Sequence, residues 1–142
     1  MAPQPPSTSR RAAIGALGAS LAAAPAAVLA AADPMKVVFH VSDPDAWPGA
    51  VSNLTNVTKV HPEGTYQVVV DGTAVLSLQG ANQITDALGG VADLGVVVQV
   101  CPNALEEHGV AIADLPQWAK TDLGGVIALV EANRAGFVYV KP

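Results

Sequence analysis

From residue 35 onward the chain alternates short, nearly unbroken apolar runs with longer stretches in which apolar residues recur every three or four positions. Runs rich in β-branched residues are expected of strands covered on both faces, and the wider spacing is that of amphipathic helices. The strand-like runs are Met35–Val41, Tyr66–Val70, Leu94–Val100 and Phe137–Lys141, with a short candidate at Trp118–Lys120. The central one is the most uniform, because Val96, Val97, Val98 and Val100 are interrupted only by Gln99.

Helical spacing lies between these runs. Trp47, Ala50, Val51, Leu54 and Val57 predict a helix from about Ala46 to Lys59, after the turn-forming Ser42-Asp43-Pro44-Asp45. His61-Pro62-Glu63-Gly64 breaks it before the second strand, and Asp71-Gly72 ends that strand. Thr73 can cap a short helix, Ala74 to Gln79, and Asn82 caps another whose Ile84, Ala87, Leu88 and Val91 share one face. After the central strand, Asn103 is the expected N-cap of Ala104–His108, with Glu106 at N3 and Gly109 at C′. Asp114-Leu115-Pro116 is a turn. Thr121 or Asp122 should cap the last helix, marked by Leu123, Ile127, Val130 and Arg134 and closed by Gly136. Gly124 and Gly125 weaken its first turn by about 1 kcal/mol each relative to alanine.

Strands alternating with helices predict an α/β fold, a three-layer α/β/α sandwich around a mostly parallel sheet of about five strands with right-handed crossovers. Ligands in such sheets sit beyond the C-terminal ends of the strands. His40, Asp71-Gly72 and Cys101 all fall at that end of their own strands.

Residues 1–32 differ from the rest. A Pro/Ser-rich start ends in Ser9-Arg10-Arg11, an Ala/Gly/Leu-rich stretch follows to Leu29, and Ala30-Ala31-Ala32 offers an A-x-A cleavage site before Asp33. This is the layout of a twin-arginine-type signal peptide. It predicts an exported, periplasmic protein whose mature domain is residues 33–142. Translation starting at Met35, with a cytoplasmic product, is the alternative. Pro25 and modest hydrophobicity argue against a stable membrane span.

Composition narrows the chemistry. Aromatic residues are 4% of the chain against 51% hydrophobic, so the interior must be built from Val, Ala, Leu and Ile. The net charge is −5 and no basic run occurs beyond residue 11, which argues against nucleic acid as a partner. A single cysteine excludes an internal disulfide. The histidines are scattered, with no CxxC or HxxxH spacing, so no metal and no cofactor are expected. Asn53-Leu54-Thr55 and Asn56-Val57-Thr58 match the glycosylation sequon but fall on a predicted helix and read as coincidence.

Cys101 is the candidate reactive group. Pro102 cannot continue the strand, so the thiol should face a helix from its positive end, which favours a thiolate. The competing reading is a small apolar residue closing a core strand. His40, if near, would assist the thiol. Asp43 and Asp71 read first as loop and turn formers.

Lys36-Val-Val-Phe-His-Val-Ser-Asp43, the strand ending Val-Cys-Pro-Asn103, and the closing Gly136-Phe-Val-Tyr-Val-Lys-Pro142 together resemble the DsrE/DsrF-like family of small sulfur-handling proteins, in its single-domain branch. The resemblance covers nearly all of residues 35–142. It implies a YchN-like fold, a homotrimer or homohexamer, and a cysteine that carries sulfur as a persulfide. Cys101 falls at the position of that cysteine, His40 at the first-strand histidine, and Asn103 follows as in the branch pattern. Members are typically cytoplasmic, whereas this chain carries an export-type leader.

The function expected is therefore a sulfur carrier, with Cys101 and His40 as the catalytic pair and Asn103, Asp71, Gly72 and Asp43 as substrate-binding residues. Its partners would be a sulfur donor or acceptor protein or a small sulfur compound, and sulfurtransferase turnover is left open. The alternative is an oligomeric small-ligand-binding module with an unreactive Cys101.

Overall fold

The computed structural model describes residues 1, 3, 4 and 32–142. The twin-arginine motif and the apolar stretch of the expected leader lie outside the described residues. Residues 32–142 form one compact unit. Its strands are β1 (Lys36–Val41), β2 (Thr65–Val70), β3 (Val97–Val100), β4 (Ala119–Lys120) and β5 (Val138–Val140). Its helices are α1 (Trp47–Val60), α2 (Gln83–Asp93), α3 (Pro102–Glu107) and α4 (Gly125–Arg134). The segment expected as a short helix after Asp71 is a 3₁₀ helix, Gly72–Leu78.

The sheet is parallel throughout in the order β4-β3-β2-β1-β5. Period-two alternation assigns its two faces. Val37, Phe39 and Val41 of β1, Tyr66, Val68 and Val70 of β2, and Val98 and Val100 of β3 point to one side. There they meet Trp47, Ala50 and Leu54 of α1, Leu88 and Val91 of α2, and Ala104 and Leu105 of α3. The opposite core is small, built from Val38, Val69, Ala128 and Ala132 with Leu123, Leu129 and Phe137 against it. Trp47, fully buried, donates its indole N–H to the Ala74 carbonyl at 3.2 Å, which ties α1 to the 3₁₀ helix.

Several local signals are realised as the sequence predicts. Asn82 caps α2 in a reciprocal box with Thr85, and positive-φ glycines close α3 at Gly109 and α4 at Gly136. Two expectations are corrected. Helix α3 begins two residues earlier, with Cys101 at the N-cap and Pro102 at N1, so Asn103 sits inside the first turn and Glu106 makes no capping box. Proline is favoured at N1, because its missing N–H costs nothing there, and this outweighs the Asn103 cap signal. The second correction concerns α4, whose N-cap is Gly124 instead of Thr121 or Asp122. It turns Gly125, Ala128 and Ala132 inward, while Ile127 and Val130, two of the residues that mark this helix in the sequence, are 54% and 41% exposed. Small residues let the helix lie close to the β-branched strands beneath it.

Tyr66 locks the turn between α1 and β2. Its hydroxyl donates to the His61 carbonyl at 2.8 Å and reaches the Val57 carbonyl at 3.3 Å. A Cβ at Gly64 would overlap that hydroxyl and the ring carbon that bears it. Gly64→Ala should therefore cost about 1–3 kcal/mol in denaturant unfolding, and most of that penalty should vanish in a Tyr66→Phe background. Burial, followed by the Glu63 charge, raises the Tyr66 hydroxyl above its ordinary pKa of 10.0. The folded state thus holds this proton more tightly than the unfolded chain. The contribution is intact below pH 10 and is lost as pH rises through the raised value. Stability measured between pH 8 and 11 should fall more steeply in the wild type than in Tyr66→Phe.

Candidate functional site

The C-terminal rim of the sheet is shaped by the chain's reversal. The connections leaving β1, β2 and β3 run over the larger core, whereas α4, which leaves β4, covers the opposite face. Adjacent strands whose exits diverge to opposite faces open a crevice between their ends, the usual ligand position in open α/β sheets. Here that point lies between β3 and β4, and β3 runs directly into Cys101.

Cys101 is held by its backbone. Its N–H donates to the Val70 carbonyl at 2.8 Å, extending the β2–β3 ladder by one bond, and its carbonyl accepts from Leu105 in the first turn of α3. The residue is 8% exposed and packs at the edge of the larger core. Gln99, two residues earlier, is 2% exposed and donates to the Leu123 carbonyl at 3.0 Å, anchoring the β4–α4 loop to β3. In the sequence Gln99 read only as an interruption of a valine run. A buried amide in a core strand, which demands a partner, was the available signal.

His40 is not joined to Cys101. Its Nε2 lies 2.9 Å from Asp71 Oδ2 and 3.0 Å from Ser42 Oγ, and its Nδ1 lies 2.9 Å from the Tyr139 hydroxyl. Both ring nitrogens are thus engaged, and β2 separates β1 from β3. The rim carries two neighbouring arrangements: Cys101 at the end of β3, and the His40–Asp71–Ser42–Tyr139 cluster over β5, β1 and the end of β2. Asp71, directly after β2, stands between them in strand order. Ser42 and Tyr139 did not figure among the expected site residues. Tyr139 lies 99 positions from His40, and only the β1–β5 pairing, with Val38 opposite Tyr139, brings it near.

The other expected site residues take varied places. Gly72 has φ +52°, and a Cβ there would come within 2.6 Å of the Ser42 carbonyl oxygen, so this glycine lets the β1 and β2 end loops meet. Asp43 is exposed and accepts the Asp45 N–H at 2.9 Å as the cap of the 3₁₀ turn Pro44–Ala46. Asn103 is exposed on α3. Gly125, the buried first residue of α4, lies against Asp71: an added Cβ would sit 3.0 Å from Oδ2. Among the described residues no group of three His, Cys, Asp or Glu could hold a metal ion, and no helix is long and apolar enough to cross a membrane.

Comparison with known proteins bears on the architecture. No family model matches the chain, and no curated protein sequence matches it. Among solved structures, a protein of unknown function from Methanobacterium thermoautotrophicum, MTH1491, is similar at 24% identity with a TM-score of 0.70. The match covers 76% of this chain and 99% of that one. The YchN protein of E. coli is similar at 11% identity and a TM-score of 0.66, with the same coverage. At these identities the likeness speaks for the fold alone, and in fold this chain is a YchN-like α/β protein with a parallel five-stranded sheet.

Proposed function

We propose that the protein is a sulfur carrier that loads Cys101 as a persulfide. The observation that carries this reading is the placement of its one cysteine at the C-terminal end of β3, at the point where the exits of β3 and β4 diverge to opposite faces of the sheet. The chemistry is a sulfur-for-sulfur exchange. The Cys101 thiolate attacks the outer sulfur of a donor persulfide, R–S–SH. A new S–S bond forms on Cys101, the donor's S–S bond breaks, and R–S⁻ leaves with the electron pair, so nothing is oxidised overall. A thiolate acceptor then takes the terminal sulfur by the same step, regenerating the Cys101 thiolate. His40 is engaged elsewhere and has no part in this scheme.

The second reading, a ligand-binding module with an inert thiol, draws on the low exposure of Cys101 and its packing against the core. Intact-mass analysis of the native protein after treatment with a low-molecular-weight persulfide separates the two. The carrier should gain one sulfur atom, Cys101→Ser should gain none, and His40→Gln should load as the wild type does. Cys101→Ser should leave the melting temperature nearly unchanged or cost about 1–3 kcal/mol through an unpaired hydroxyl. A thiol that neither loads nor alkylates until the protein unfolds would leave the binding module standing.

The carrier is proposed to work as a homotrimer or homohexamer. Supporting this, the first half of α4 presents aliphatic side chains outward: its inward residues are small, and outward stand Val126, 70% exposed, with Ile127 and Val130. A cluster of exposed aliphatic side chains on one helix marks an interaction surface, and covering each is worth about 1.5–3 kcal/mol when complete. Sedimentation at micromolar concentration should show a trimer or hexamer. The double substitution Val126→Glu, Val130→Glu should reduce it to smaller species while preserving the circular dichroism spectrum. A monodisperse wild-type monomer would refute the assembly.

A further inference from the structure

The cluster on the β5 side of the rim has an internal logic that the sulfur chemistry leaves unused. The Asp71 carboxylate can only accept hydrogen bonds, so His40 Nε2 must carry a proton toward it. In the neutral ring Nδ1 is then a lone pair, and the Tyr139 hydroxyl, 2.9 Å away, is the group that donates to it. Carboxylate, imidazole and hydroxyl thus stand in the order that orients and activates a nucleophile in hydrolytic triads, with the ring nitrogens exchanged and a phenol in the hydroxyl position. Ser42 cannot take that role. Its Oγ shares the protonated Nε2 with Asp71, so it braces the ring and has no base to lose a proton to.

Exposure has the matching gradient. The His40 and Asp71 side chains are 14% and 22% exposed, while Tyr139, on an edge strand, is 50% exposed. The base is sheltered and the phenol is presented to solvent. Each group also comes from a different part of the sheet: Asp71 follows β2 and packs against the start of α4, His40 is on β1, and Tyr139 is on β5.

We propose that Tyr139 is a nucleophilic phenol, served by His40 as general base and Asp71 as its orienting carboxylate, that accepts an acyl group from a neutral activated ester or thioester. As the phenolic oxygen bonds to the acyl carbon, its proton passes to His40 Nδ1. The bond from the acyl carbon to its leaving group breaks, and the leaving group departs with the electron pair and takes up that proton. The product is an O-acyl tyrosine, with no change of oxidation state. A neutral donor is specified because a phosphoryl donor would bring its negative charge toward the Asp71 carboxylate. The proposal is independent of Cys101 and stands or falls separately from the sulfur reading.

The test treats the native protein with p-nitrophenyl acetate and follows acetylation residue by residue by peptide mass mapping, with N-acetyltyrosinamide at the same pH as reference. Tyr139 should be acetylated faster than the reference by on the order of a hundredfold, the low end of what a positioned general base contributes. Tyr66, whose hydroxyl is committed to backbone carbonyls, should remain unmodified. His40→Gln should bring Tyr139 back to the reference rate. Asp71→Asn, which keeps a hydrogen-bonding side chain but removes the charge, should fall between the two. That graded loss would not arise if the cluster merely pinned β5 to β1. It also carries the test should His40→Gln fail to fold. Reaction of wild-type Tyr139 at the reference rate, or a rate unaffected by either substitution, would overturn the proposal.

Discussion

A parallel sheet must be covered on both faces, because its strands are apolar on each side. In this chain that requirement is met unequally, and most of the structure follows from the inequality. Three helices and a 3₁₀ helix cover one face, where the large side chains Trp47, Leu54, Leu78, Leu88 and Leu105 fill the space above the valines. One ten-residue helix covers the other, approaching through Gly125, Ala128 and Ala132. A composition poor in aromatics suits this arrangement, since the thin face has room only for small residues.

The single helix on the thin face also leaves part of that face for polar residues. His40 and Gln99 point to the same side as Val38 and Val69, beyond or beside the span of α4, and each is satisfied by a specific partner instead of by packing. Among the described residues no buried side-chain nitrogen or oxygen lacks a hydrogen bond. A buried polar group left unpaired costs about 1–3 kcal/mol, so these partners are required by the fold as well as available to chemistry.

What could be read from the sequence was governed by distance along the chain. The valine runs, the Asn82 cap and the closing glycines are local signals, and the parallel α/β architecture follows from their alternation. The N-cap of α3 was misplaced because two local signals one residue apart competed, Asn103 as cap and Pro102 as first residue, and proline prevailed. The inward face of α4 is not given by the apolar residues that mark the helix, since apolar spacing alone ranks Ile127 and Val130 above Ala128 and Ala132. Only the tight approach of the helix to β-branched strands reverses that order. The partners of His40 were beyond reach for a third reason: Asp71 is 31 positions away and Tyr139 is 99, and no local pattern encodes either contact.

Topology explains why the rim carries two arrangements and not one. Strand order places β2 between β1 and β3, so groups at the ends of β1 and β3 cannot meet directly, and whatever follows β2 comes between them. That residue is Asp71. A carboxylate there captures the histidine of β1, and Gly125 in the first turn of α4 packs close against its other side. Cys101 is left at the end of β3, with its backbone held by Val70 and its neighbouring loop by Gln99. The residues that follow the strands flanking β3 are Asp71 after β2 and Thr121 after β4, and the imidazole of His40 is committed to Asp71, Ser42 and Tyr139 on the other side of β2.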